Sequence, residues 1–117
     1  LSGLTSAVSV EIGSNEALTS LNGLGSLTEI SNELSIQRNH SLTSLVGLSG
    51  LERVHTLTIM INDNLVSLAG LDSLESMTGH LTIFAHDNLC ESTALSFRDW
   101  LTGLGMTSDN VNSNKPC

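Results

Sequence analysis

The chain has 117 residues, which is room for one domain built around one core. It contains 21 leucines but only two Phe, one Trp and no Tyr, a composition that indicates one small packing unit used repeatedly. Because its net charge of -8 repels polyanions and no apolar run approaches the roughly 20 residues that cross a bilayer, we expect neither nucleic-acid binding nor direct membrane insertion.

The sequence repeats itself with a period of about 24 residues. Successive repeats begin 24, 23 and 24 residues apart, at Val10, Leu34, Leu57 and Leu81. An isoleucine follows two residues after each of these anchors, and this alternation predicts a short strand. Apolar residues then recur at every third position, as from Leu18 to Ile30, which fits an arc of tight turns and 3₁₀-like segments. Because one strand and one arc cannot bury their own leucines, we expect the repeats to stack on a shared core.

An asparagine stands three residues after the isoleucine in each of the first three repeats, as Asn15, Asn39 and Asn62. Backbone groups lose their ladder partners where a chain leaves a strand, and an Asn side chain carries both a donor and an acceptor. We therefore predict a structural column of asparagines, which ends at His86. Asn39-His40-Ser41 also matches the glycosylation sequon, but a column residue is expected to be buried.

The second repeat carries a family resemblance. Residues Leu34 to Val54, LSIQRNHSLTSLVGLSGLERV, follow the pattern L-x-I-x-x-N-x-x-L-x-x-L-x-G-L-x-x-L-x-x-I and resemble the receptor L-domain type of leucine-rich repeat. The resemblance covers roughly residues 1–105. It implies an extracellular or cell-surface β-solenoid, right-handed, with a parallel sheet on one face, in which residues 1–89 are the repeats. Because the chain is shorter than a receptor L domain and lacks its N-terminal cap, the family's ligand site is not transferred.

Residues 90–117 are predicted to form a C-terminal helical cap, because the repeat pattern breaks after Leu89. Ser92 or Thr93 is expected to be the N-cap of a short helix that Gly103 and Gly105 end, and the polar tail then returns across the last repeat. The two cysteines of the chain, Cys90 and Cys117, bracket this segment. Their placement suggests one disulfide bond and an oxidising compartment.

The strand residues that alternate with the core anchors should face outward. This face is polar in the first two repeats and apolar in the last two, and contiguous apolar patches often mark interaction sites. We predict a binding face that consists of Gln37, Arg38, Thr58, Met60, Ile61, Thr82, Phe84 and Ala85. A neighbouring column, Glu16, His40, Asp63 and Asp87, could hold Ca²⁺, but a solvated acidic edge is the favoured interpretation.

Catalysis has little support in the sequence. There is no nucleophile with a base at a recognisable spacing, no Gly-rich phosphate loop and no pair of carboxylates placed for a pocket, so we expect no enzyme, no cofactor and no metal site.

Two functions remain open. The first is a recognition module that binds a protein or glycan through the sheet face. The second is a structural subunit of a surface layer or filament that stacks or pairs with copies of itself. Ice binding is a weaker alternative, since only Thr58 and Thr82 align as a threonine column.

Overall fold

A computed structural model describes residues 5–21, 24–84, 88–112 and 114. These residues form strands β1 (Ser6–Ala7), β2 (Val10–Gly13), β3 (Glu29–Gln37), β4 (Arg53–Met60), β5 (Ser76–Met77), β6 (His80–Phe84) and β7 (Ser108–Asn112), a short 3₁₀ helix (Val46–Leu48) and helix α1 (Glu91–Thr102). The strand order is β1-β3-β4-β6-β7, with β2 also paired to β3 and β5 to β4. The pairings between these strands are parallel, which confirms the predicted parallel sheet.

Equivalent residues of successive repeats lie side by side in the sheet. The first anchors pair in the order Val10, Leu34, Leu57 and Leu81, and the isoleucines two residues later pair in the same way. The sheet register therefore equals the sequence period, and β2, β3, β4 and β6 lie at the positions predicted for the repeat strands. The two-residue strands β1 and β5 were not predicted.

The core consists of the strand anchors and the residues at every third position of the arcs. Leu34, Ile36, Leu57 and Ile59 have 0% exposure, as do the arc residues Leu42, Leu45, Leu48 and Leu51. Each fully buried side chain of this size contributes about 1.5–3 kcal/mol relative to an exposed one. The first repeat differs, because its residues Val10, Ile12 and Leu18 are only partly buried.

The arcs are built from tight turns in which one backbone amide reaches back three residues. The Leu48 N–H donates to Leu45 O at 3.0 Å, and the Leu51 N–H donates to Leu48 O at 2.9 Å. Gly70, in the next repeat, has a φ of +113°, and a Cβ built there would lie 1.9 Å from Leu45 O. This glycine therefore allows two neighbouring arcs to approach closely.

Helix α1 begins at Glu91, so Ser92 and Thr93 lie inside its first turn and the prediction that one of them is the N-cap is wrong. The extended residue Cys90 is the N-cap, and its carbonyl accepts the N–H groups of Thr93 and Ala94 at 3.1 and 3.2 Å. Cys90 makes no side-chain capping bond, but the carboxylate of Glu91 favours the first turn of a helix. Ala94 and Leu101 have 0% exposure, so this helix covers the core.

The polar tail contains a strand that the sequence analysis did not predict. β7 pairs with β6, with Leu81 beside Asp109 and Ile83 beside Val111. The offset is 28 residues rather than 24, because helix α1 replaces the arc of the fourth repeat. The expectation that this tail simply crosses the last repeat is therefore wrong for residues 108–112. Cys117 lies outside the described residues, so its disulfide bond to Cys90 and the disulfide-bonded cap stay predictions.

Candidate functional site

The predicted asparagines meet between neighbouring strands. Asn15 Nδ2 donates to Asn39 Oδ1 at 3.2 Å, and both the backbone N–H and Nδ2 of Asn39 donate to Asn62 Oδ1, at 3.0 and 3.2 Å. Asn39 and Asn62 have 0% exposure. An Asn39 amide held in this way is inaccessible for glycan attachment. His86, the expected end of the column, lies outside the described residues.

The same amides also bind the preceding strand. The Nδ2 groups of Asn39 and Asn62 donate to Ile12 O and Ile36 O at 3.0 and 3.1 Å. Asn114 Nδ2 donates to Ile83 O at 3.2 Å and to Glu91 Oε1 at 2.7 Å, so Asn114 occupies the equivalent position after β7. Sequence reasoning missed Asn114, although the spacing of Val111 and Asn114 repeats the Ile-x-x-Asn spacing of the earlier repeats.

The residues before Asn15, Asn39 and Asn62 are in the left-handed region of backbone conformation. Ser14, Arg38 and Ile61 have φ values of 58°, 60° and 55°. Their N–H groups donate across to the next strand, to Gln37 O, Met60 O and Phe84 O, each at 3.1 Å. Arg38 and Ile61 were predicted as outward strand positions, but they lie in the turn that follows the strand. A β-branched residue such as Ile61 is strained in this conformation.

Four predicted binding residues form one continuous surface, which we name the β4–β6 outer face: Thr58, Met60, Thr82 and Phe84. Thr58 pairs with Thr82 and Met60 pairs with Phe84 on neighbouring strands. Side chains paired in this way lie about 4.5–5.5 Å apart at Cβ. All four are half-buried, whereas the alternating residues Leu57, Ile59, Leu81 and Ile83 have 0% exposure. Ile61 is half-buried beside this face, and Ala85 lies outside the described residues.

The polar side of the sheet in the second repeat is fixed by hydrogen bonds between its own side chains and to Thr58. Gln37 Nε2 donates to Ser35 Oγ at 2.8 Å, and Ser35 is only 5% exposed. Thr58 Oγ1 donates to Glu33 Oε2 at 2.8 Å, which fixes the hydroxyl at one corner of the β4–β6 outer face. On the other side the Thr58–Thr82 column continues into Asn110, which is exposed. The polar border of the face therefore includes an orientated hydroxyl group and an exposed residue.

The acidic column at the turns is held by its own contacts. His40 Nδ1 lies 2.7 Å from Asp63 Oδ2, and Asn64 Nδ2 donates to His40 O at 2.6 Å. A shallow depression of about 380 Å³ beside them is lined by Ser14, Glu16, Arg38 and His40. Within the described ranges no three His, Cys, Asp or Glu side chains come together as metal ligands, and Asp87 lies outside those ranges.

No family model, curated protein or solved structure matches this chain. Within the described part of the chain, no helix has the length and apolar character needed to cross a membrane.

Proposed function

We propose that the chain is a leucine-rich-repeat solenoid of the receptor L-domain type that binds a protein or glycan extracellularly, without catalysis, through the β4–β6 outer face. The solenoid interpretation is supported by the parallel register, in which each repeat places its strand beside the equivalent strand of the next. The extracellular location depends on the predicted disulfide bond between Cys90 and Cys117.

The observation that carries the binding proposal is the pairing of Met60 with Phe84 on the side of the sheet away from the core. Ile59 and Ile83, the residues before them, have 0% exposure, so the core is complete without the Met60–Phe84 pair. Two apolar side chains with hydroxyl groups of Thr58 and Thr82 beside them resemble the layout of an interface, an apolar centre with a polar rim. The net charge of -8 favours a neutral or basic partner.

The proposal is tested by probing arrays of glycans and of extracellular protein domains with the native chain and with two variants. Phe84→Asp places a charge in the centre of the contact, where it would be poorly solvated and unpaired, so it should abolish the signals that the native chain gives. Glu11→Ala changes the same side of the sheet three strands away from Phe84 and should retain these signals. Identical binding by all three proteins would reject the β4–β6 outer face as the site.

Phe84→Asp should also change the stability of the chain only slightly. Because Phe84 is half-buried and its Cβ points away from the core, Phe84→Asp should lower the free energy of unfolding by only about 1 kcal/mol, the order of a strand-propensity change. Ile83→Asp, one residue earlier, buries an unpaired charge and should prevent folding. Denaturant melts of both variants check this. Equal losses would mean that Phe84 belongs to the core.

A further inference from the structure

The two edges of the sheet differ in how well they are protected against pairing with another strand. At the C-terminal end, Ala94 and Leu101 of helix α1 have 0% exposure and cover the core. In β7, Asp109 stands at the position that pairs with the core anchor Leu81, and it lies 4.0 Å from the Arg98 guanidinium. A charge at an inward position of an edge strand discourages the addition of another strand. This end of the sheet is therefore protected.

The N-terminal end lacks these features in the part of the chain that the structure describes. There β2 pairs only with β3, and its inward residues are apolar. Val10, Ile12 and Leu18 are partly buried, whereas their equivalents in the second repeat have 0% exposure: Leu34, Ile36 and Leu42. The first repeat thus has the side chains of an interior repeat, but the described residues cover it on one side only.

The polar groups at this edge also match those of an interior repeat. Between later repeats the N–H of Arg38 donates to Met60 O, and the equivalent acceptor on the first repeat is Gly13 O. Asn62 Oδ1 accepts from the backbone and side chain of Asn39, and its equivalent on the first repeat is the exposed Asn15. A strand that is followed by a left-handed residue and an asparagine would satisfy both groups.

We propose that the β2 edge binds one additional repeat of the same L-x-I-x-x-N type, in parallel register. This contact is independent of the β4–β6 outer face and therefore goes beyond the proposed function. It continues the interface that already joins each repeat to the next. A second copy of the chain docking through β7 does not fit, because Asp109 would be placed over Val10 and lose its solvation.

The test is a fusion that places a duplicate of residues 24–47 before Leu1, which is the sequence equivalent of Leu24 and Leu48. The added strand should slow amide hydrogen exchange of Val10–Gly13 by about tenfold or more and raise the denaturant midpoint of the whole chain. The matched control carries Leu34→Ser, Ile36→Ser and Asn39→Ala in the duplicate only, and it should leave that exchange unchanged. Equal protection by the fusion and its control, or protection by neither, overturns the proposal.

A second fusion, with residues 48–70 in the same place, guards against a duplicate that fails to fold. The proposal is overturned if neither fusion slows amide exchange of Val10–Gly13 while exchange in β4 and β6 stays as slow as in the unfused chain. It is also overturned if both fusions speed up amide exchange in β4 and β6. The unfused chain is measured across a concentration series. Dimer formation that slows exchange in β2 would assign this edge to a second copy and also contradict the proposal, whereas loss of array binding by Phe84→Asp bears only on the β4–β6 outer face.

Discussion

Two consecutive residues after each of strands β2, β3 and β4 have different physical roles. The first turns the chain out of the sheet with a positive φ, and the second satisfies buried backbone and side-chain groups through its amide. The asparagine was predictable, because few side chains offer both a donor and an acceptor. The left-handed turn was not, since Ser14, Arg38 and Ile61 stand where glycine or asparagine would be the usual signal.

Removal of the side-chain amide of a buried column asparagine should lower the free energy of unfolding. Asn39→Ala leaves Ile12 O without the Asn39 amide donor and removes one of the two donors to Asn62 Oδ1, whose bond from the Asn39 backbone N–H remains. It should lower the free energy of unfolding by about 1–3 kcal/mol. Asn64→Ala is the control, because Asn64 is exposed and its bond to His40 O can be replaced by water. Urea denaturation of both variants checks this. Equal losses would show that the column contributes no more than an ordinary turn.

Relief of the backbone strain should be stabilising. Arg38 is exposed, so Arg38→Gly removes little packing while it relieves a left-handed conformation that costs an L-residue about 1–2 kcal/mol. We expect the free energy of unfolding to rise by about 0.5–1 kcal/mol after the entropic cost of glycine. Gln37→Gly, in the extended strand beside it, should lower it by a similar amount. A loss of stability in both variants would contradict the role assigned to position 38.

At the scale of elements, the regular repeats were predictable and the irregular one was not. Strands β2, β3, β4 and β6 follow from the period of two at Val10, Leu34, Leu57 and Leu81. β7 escaped notice because Asp109 replaces the leucine and because Asn110 and Asn112 are poor strand formers. Pairing with β6 overrides these local preferences. In the sequence, only the spacing of Val111 and Asn114 indicates strand β7.

The close approach of neighbouring arcs should make one glycine irreplaceable. Gly70→Ala places a methyl group 1.9 Å from Leu45 O at a φ of +113°, so the arcs must separate, and we expect a loss of about 3 kcal/mol or more. Gly25→Ala is the matched control, because a Cβ there meets nothing within 4 Å, and it should change stability by less than about 0.5 kcal/mol. Thermal melts of the two variants measure the difference. Similar behaviour would mean that the arcs are not packed as described.

At the scale of the whole molecule, the sequence predicted which side of the sheet faces away from the core, but not the side-chain contacts on that side. The alternation of core and outward residues placed Thr58, Met60, Thr82 and Phe84 together, as the structure does. The alternation did not reveal that Met60 and Phe84 are half-buried or that Ser35 is buried beside Gln37, because these properties depend on contacts between side chains on the same face. A repeat pattern specifies anchors and register, whereas a ligand is recognised by the residues that the pattern leaves variable.

The β4–β6 outer face is tested most directly by methyl NMR of the three methionines. Met60 lies on that face, whereas Met77 and Met106 are 0% and 8% exposed and serve as internal controls. The strongest ligand from the array is titrated into chain labelled with ¹³C at the methionine methyl groups. We predict that the Met60 signal shifts in proportion to occupancy while the Met77 and Met106 signals stay in place. Saturation of the chain with an unchanged Met60 signal would contradict recognition through the β4–β6 outer face.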